Sequence, residues 1–111
     1  MNRRSQIQQL GLISQLLLDT RLAALRTAAT AREDSEHRLA GLVVPDFRTG
    51  TLPEIPAQLA ELGYQRWADA RRSEINLTLA RQTAQWIEAR DAARDAFGRV
   101  EALRALGAKQ R

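Results

Sequence analysis

The sequence lacks cysteine, and it has only three prolines, six glycines, one histidine and 5% aromatic residues. The absence of cysteine excludes a disulfide scaffold, thiolate zinc sites and cysteine nucleophiles. Only eight residues are isoleucine or valine. Because β-sheets favour β-branched and aromatic side chains, this composition argues against an all-β protein. A length of 111 residues predicts a single domain.

Long apolar runs are also missing. No stretch approaches the roughly 18 uninterrupted apolar residues of a membrane span. Arg3 and Arg4 precede an apolar run from Leu10 to Leu18, which Ser14 and Gln15 interrupt. No small-residue cleavage site follows this run closely, so we interpret it as an amphipathic helix and not a signal peptide. We expect a cytoplasmic protein.

The residues that are abundant favour helices. Alanine and leucine supply 35 of the 49 apolar residues, and 27% of the chain is charged. The net charge is +4, and it is unevenly distributed: +2 over residues 1–44, −2 over residues 45–63 and +4 over residues 64–111. The apolar content argues against a disordered chain. No block of five like charges occurs, which argues against a nucleic-acid-binding tail.

The first predicted helix covers residues 5–43. A run of positions spaced four and three apart predicts a heptad seam with one polar layer. These positions are Leu18, Leu22, Leu25, Ala29, Arg32, Glu36, Leu39 and Val43. Ile7, Leu10, Ile13 and Leu17 extend the apolar face towards the N-terminus.

All three prolines and Gly50 fall in a predicted loop over residues 44–56. Pro45 cannot continue a helix, and the segment from Thr51 to Glu54 has the form of a capping box. The second predicted helix covers residues 57–106. Gly63 is a candidate break or kink, and Gly107 is a candidate C-cap.

The second helix carries a regular seam with the same four-three spacing. Its members are Ile75, Leu79, Gln82, Trp86, Ala89, Ala93, Ala96, Val100 and Leu103. Two long helices joined by one loop predict an all-α protein, an antiparallel coiled-coil hairpin with a proline-rich loop. Alanine in the second seam allows the two backbones to approach closely.

A turn near residue 50 places Arg32 and Glu36 opposite Asp69 and Arg66. We expect either an ionic layer between the helices that fixes the register, or side chains that extend to water. Five apolar residues lie off the seams and suggest a second surface for self-association or for a partner. They are Leu12, Leu16, Ile87, Phe97 and Leu106.

The aromatic residues divide into two groups. Trp86 lies in the seam and is expected in the core. Phe47, Tyr64 and Trp67 lie near the loop, where they either pack beneath it or form an exposed anchor for a partner.

Motifs for chemistry are not found. The sequence has no glycine-rich phosphate-binding loop. Glu33, Glu36 and the lone His37 cluster on one helix, but a di-iron bundle needs two such histidines and further inward carboxylates. We expect no metal, no cofactor and no enzymatic activity.

The arrangement resembles the family of the flagellar export protein FliJ, which includes the YscO-type stalk proteins of virulence type III secretion. In the first helix the resemblance rests on the run from Leu10 to Leu25, then on Ala28 to Ala31, Arg32 and Leu39 to Leu42. In the second helix it rests on Ala89 to Ala93, Arg94, Val100, Glu101, Leu103 and Arg104.

The resemblance implies a stalk that inserts its terminal end into a hexameric export ATPase and contacts the export gate. It also allows a peripheral position at the inner-membrane export apparatus. On this interpretation Arg3, Arg4, Arg99 and Arg104 contact the ATPase ring. Phe47, Tyr64 and Trp67 are then the candidates for the gate.

Two other classes of function stay open. One is a homo-oligomeric helical bundle that acts as a scaffold or small chaperone, which a second apolar surface favours. The other is a nucleic-acid-binding hairpin, but the arginines of the second helix are interleaved with acidic residues, which leaves no face of one sign.

Overall fold

The computed structural model describes residues 2–47 and 50–109, and these form two α-helices without a β-strand. Helix α1 spans Arg3–Ala40 and helix α2 spans Glu54–Lys109. The predicted all-α antiparallel coiled-coil hairpin is confirmed. Of the predicted loop residues, Arg48 and Thr49 lie outside the described part of the chain.

Helix α1 begins two residues earlier and ends three residues earlier than predicted. At its start, Asn2 accepts a hydrogen bond from the Ser5 N–H through its side-chain Oδ1 at 2.7 Å, which caps the first turn. At its end, the Gly41 N–H still bonds to the His37 carbonyl at 2.9 Å. Pro45 disfavours a helical conformation at Val44, and Gly41 lowers the helix propensity, so the helix stops before residue 43.

Helix α2 is longer at both ends than predicted. The Ala57 N–H bonds to the Pro53 carbonyl at 2.9 Å, which makes Pro53 the N-cap instead of Thr51. Pro56 therefore lies in the first turn, where its missing N–H is tolerated. The helix continues through Gly63 and Gly98, and the predicted C-cap at Gly107 is wrong because the helix continues to Lys109.

The chain divides into two compact units. The terminal unit contains residues 1–31 and 83–111, and the loop unit contains residues 32–82. The expectation of a single domain stays a prediction.

The predicted seam of α2 is confirmed. Ile75, Ala93, Ala96 and Val100 are buried, and the other predicted members are partly buried. The same four-three pattern continues towards the start of the helix through Ala57, Tyr64 and Ala68, which the prediction omitted. A continuous helix through Gly63 explains this extension, since a kink there would interrupt the pattern.

The predicted seam of α1 is only partly correct. Leu18 is buried, and Leu25, Arg32 and Leu39 are partly buried, as predicted. Ala29 is also partly buried, as predicted. Elsewhere the inward positions are small or polar neighbours of the predicted ones: Gly11 and Ser14 lie one residue after Leu10 and Ile13, and Ser35 lies one residue before Glu36. Conversely, Leu10, Ile13, Leu22, Glu36 and Val43 are exposed.

The predicted placement of Arg32 and Glu36 opposite Asp69 and Arg66 is wrong, because the register differs. In the loop unit, Ser35 faces Gln82, and its hydroxyl donates to the Gln82 Oε1 at 2.5 Å. Asp69 lies thirteen residues before Gln82, about 20 Å along α2, so it is far from Arg32 and Glu36. Arg32 and Glu36 instead pair with each other at 3.3 Å, and Asp69 pairs with Arg72 at 2.7 Å.

Candidate functional site

The four arginines predicted to bind a partner all lie in the terminal unit. Arg3 and Arg4 are the first residues of α1, and both are exposed. Arg99 and Arg104 are exposed on α2, and Arg104 pairs with Glu101 through an Nη1–Oε1 distance of 2.9 Å. Arg104 is oriented by its neighbour Glu101, and Asp95 lies one helical turn before Arg99, whereas no acidic residue lies in the first turns of α1 beside Arg3 and Arg4.

A groove of about 450 Å³ brings two of these arginines together. Arg4 and Arg104 both line it, and Gly11 and Gly107 are among its other lining residues. A Cβ atom placed on Gly107 would lie 3.7 Å from the Ile7 Cγ2, whereas one placed on Gly11 would meet nothing within 4 Å. The groove exists because glycine occupies seam positions where larger side chains would fill the space. The groove was not predictable from apolar spacing, because glycine has no side chain that contributes to such a pattern.

The two units differ in charge. The terminal unit has ten basic and five acidic residues, a net charge of +5. The loop unit has seven basic and eight acidic residues, a net charge of −1. An acidic partner would therefore be attracted to the terminal unit, and this attraction would weaken with added salt.

The three aromatic residues predicted to bind a partner form one cluster in the loop unit. The Phe47 and Tyr64 ring centroids lie 6.1 Å apart, and those of Tyr64 and Trp67 lie 5.3 Å apart. Both pairs are tilted, which is a favourable geometry for aromatic rings. Phe47 and Tyr64 are partly buried, but Trp67 is 53% exposed. The cluster thus packs the loop onto α2, which is one of the two predicted alternatives, and it leaves the Trp67 indole accessible. A role of this indole as an anchor for a partner stays a prediction.

Trp86 is partly buried in the α2 seam, as predicted. The Arg90 guanidinium carbon lies 5.2 Å from the Trp86 ring centroid, within the range of a cation–π contact. The Arg90 side chain is 42% exposed, and its Nη2 also lies 3.4 Å from the Asp91 Oδ1, so this arginine covers the seam tryptophan from the surface.

Two features of the described residues bear on other kinds of site. His37 Nε2 lies 3.6 Å from Glu33 Oε1, one turn away on the same exposed helix face. Within residues 2–47 and 50–109, no group of three or more potential metal-ligating side chains is found. Neither helix, over its described length, is both long and apolar enough to cross a bilayer.

Comparisons with protein-family models, with curated proteins and with solved structures find no significant match to this chain.

Proposed function

We propose that this protein is a non-enzymatic coiled-coil stalk or adaptor of a flagellar or type III protein export apparatus. Its partners in this role are the hexameric export ATPase and the export gate. The proposal originates in the resemblance of the two helices to FliJ and YscO-type proteins. It assigns the ATPase contact to the terminal unit and the gate contact to the loop unit.

The observation that carries the proposal is that the two units carry surfaces of different chemistry. The basic terminal unit presents Arg3, Arg4, Arg99 and Arg104 to solvent, and its net charge is +5. The loop unit presents the half-exposed Trp67 within an aromatic cluster. A protein that connects two partners needs two such surfaces of different chemistry, and exposed arginine and tryptophan are the residues most often found as anchors at interfaces.

The experiment measures binding to the purified export ATPase of the same organism and stimulation of its ATP turnover. Replacement of Arg3, Arg4, Arg99 and Arg104 by glutamine removes four charges from the terminal unit. We expect this variant to bind at least about tenfold more weakly at low salt, since each exposed charge adds a modest, screened attraction.

A matched control replaces four exposed arginines of the loop unit by glutamine: Arg38, Arg66, Arg71 and Arg81. Its net charge equals that of the first variant, so a similar loss in both would indicate a non-specific charge effect. Trp67→Ala is expected to leave ATPase stimulation unchanged and to weaken binding to the purified gate protein. If the wild-type protein binds no ATPase at low salt, the proposal is wrong.

A further inference from the structure

The groove that Arg4 and Arg104 line lies in a part of the seam that the chain leaves unfilled. Both helices contribute to it, and all of its lining residues belong to the terminal unit. Ile7 and Gly107 face each other there, since a Cβ atom on Gly107 would lie 3.7 Å from the Ile7 Cγ2. Gly11, one turn further along α1, is partly buried, yet a Cβ atom there would meet nothing within 4 Å. The seam therefore has room for a group that these two helices do not supply.

The base of the groove is apolar. Val100 is buried, and Ile7 and Leu103 are partly buried. From Arg4 to Gln15 the groove follows α1 over about 16 Å, given a rise of about 1.5 Å per residue. Its volume of about 450 Å³ lies within the range of sites for small organic molecules, roughly 300–1,000 Å³. The apolar base favours a hydrocarbon chain as the occupant.

The charges at the groove are of one sign. Among the described residues that line it, Arg4 and Arg104 are charged and none is acidic. Measured from the facing pair Ile7 and Gly107, Arg4 lies nearly one turn towards the chain termini and Arg104 nearly one turn towards the loop. Their Cα atoms are therefore about 9 Å apart along the hairpin, and both long side chains can approach one anion between them.

The ion pair of Arg104 does not prevent such an approach. Its partner Glu101 is not among the residues that line the groove. A guanidinium group has five N–H donors, so Arg104 can keep this pair and still donate to a second anion. The groove thus combines an apolar base with two cationic donors at its rim.

The width of the groove favours a single chain over a larger partner. Packed helices have axes about 8–10 Å apart, and a whole helix is about 10–12 Å across, so a partner helix would contact the rims and leave the base empty. A flat bilayer surface would also not reach the base. An amphiphile with one hydrocarbon chain fits the gap, and an anionic head group complements the two arginines.

We propose that this groove binds a monomeric anionic amphiphile, namely an unbranched medium-chain carboxylate. The hydrocarbon chain lies over Leu103 and Val100, in the space that Gly11 leaves open. The carboxylate lies between Arg4 and Arg104 and accepts hydrogen bonds from their guanidinium groups. Binding is measured on the purified chain alone, so its outcome is distinguishable from that of the proposed contact with the ATPase.

The test is a titration of the isotope-labelled full chain with sodium decanoate below its micelle concentration, followed by proton–nitrogen correlation NMR. Gly11 and Gly107 line the groove, whereas Gly63 and Gly98 do not. We expect saturable shifts of the amide signals of the first two glycines and none for the other two. Acetate lacks the chain and decyltrimethylammonium has the opposite charge, so each is expected to bind at least about tenfold more weakly than decanoate.

Filling the groove should prevent binding without unfolding the protein. Gly11→Leu is expected to weaken decanoate binding at least about tenfold, because the leucine side chain occupies the space of the hydrocarbon chain. The fold should be retained, since a Cβ atom at this position meets nothing within 4 Å and leucine favours a helix. Gly98→Leu makes the same change at an exposed glycine outside the groove and should bind like the wild type.

A second pair of variants tests the head-group contact. Arg4→Gln/Arg104→Gln is expected to weaken decanoate binding at least about tenfold. Arg21→Gln/Arg26→Gln removes two exposed charges of the same unit outside the groove, and it should bind nearly like the wild type at physiological salt. An equal loss in both variants would contradict a direct role of the groove arginines. Circular dichroism of each variant should show unchanged helix content, which separates lost binding from lost folding.

Three results would overturn the proposal. The first is the absence of saturable shifts at Gly11 and Gly107 at every decanoate concentration below micelle formation. The second is a folded Gly11→Leu variant that binds decanoate as tightly as the wild type. The third is equal binding of decyltrimethylammonium, which would show that any apolar chain adheres there. Shifts that appear with vesicles of phosphatidylglycerol but not with monomeric decanoate would assign the groove to a lipid surface instead.

Discussion

The terminal unit and the loop unit share the heptad spacing but fill it with different residues. In the terminal unit the buried positions are all apolar: Leu18, Ala93, Ala96 and Val100. In the loop unit one buried position is polar, namely Ser35, which is 2% exposed and bonds to Gln82. The loop unit also contains the aromatic cluster, which the terminal unit lacks.

This difference separates two ways of holding a pair of helices. Apolar packing in the terminal unit is non-directional, so it stabilises contact between helices without selecting one alignment strongly. The Ser35–Gln82 bond and the tilted rings of the loop unit are directional, so they favour one alignment over its neighbours. We therefore expect the loop unit to set the register, whereas the terminal unit contributes apolar burial.

The largest expected change in the free energy of unfolding comes from the apolar packing of the terminal unit. Leu18→Ala removes the largest buried side chain of the terminal unit and leaves a cavity beside Ala96 and Val100. It is expected to lower the free energy of unfolding by about 3 kcal/mol. Urea denaturation followed by circular dichroism at 222 nm measures this change.

The control for that experiment is Leu77→Ala, since Leu77 is exposed. Its expected effect is within about 0.5 kcal/mol of zero. Equal losses in the two variants would show that the terminal unit has no organised apolar core, and the comparison between the units would fail.

The sequence was sufficient to predict the helices and one of the two seams. The α2 seam was predicted correctly because its members are apolar or large, apart from Gln82, and apolar periodicity detects such residues. The α1 seam was misplaced at alternate positions because Leu22 and Val43 are apolar, whereas the true positions Gly11 and Ser35 are not. Where two helices approach closely, the buried positions favour small residues. Apolar periodicity does not distinguish such small residues from residues at the surface.

The register was not predictable from helix spacing, because it depends on the path of the loop. A symmetric turn about residue 50 assumes that the chain before the turn and the chain after it have the same rise per residue. A non-helical chain advances about 3.3 Å per residue and a helix about 1.5 Å, so a loop that runs along α2 is matched by a longer stretch of helix. Phe47 contacts Tyr64, about three turns into α2, which shows the loop returning alongside the helix.

The aromatic cluster was foreseen as a group of residues, but its geometry was not.

The second prediction tests the polar side of the comparison. Ser35→Ala removes the hydroxyl donor and leaves the Gln82 carbonyl oxygen without this partner in a partly buried position. The free energy of unfolding is expected to fall by about 1–2 kcal/mol. Gln82→Leu should cost less, because the Ser35 hydroxyl has a backbone carbonyl of its own helix within reach.

The double variant Ser35→Ala/Gln82→Leu decides whether the bond sets the alignment. It is expected to lose about 1 kcal/mol less stability than the sum of the two single changes, since neither polar group is then left unpaired. Additive losses would mean that the two side chains do not interact in solution, and register selection would have to come from the aromatic cluster alone.

The smallest expected change in the free energy of unfolding comes from two glycines outside the seams, and it tests whether the two units also differ there. Gly63 lies in the loop unit and Gly98 in the terminal unit, and both are exposed within α2. A Cβ atom built on either glycine meets nothing within 4 Å. Each change to alanine is therefore expected to raise the free energy of unfolding by about 0.5–1 kcal/mol through helix propensity alone. Urea denaturation under identical conditions compares the two, and equal gains would locate the difference between the units in the buried seam. A gain at Gly98 with a loss at Gly63 would instead mean that glycine at 63 is required by the loop unit, as a kinked helix would need.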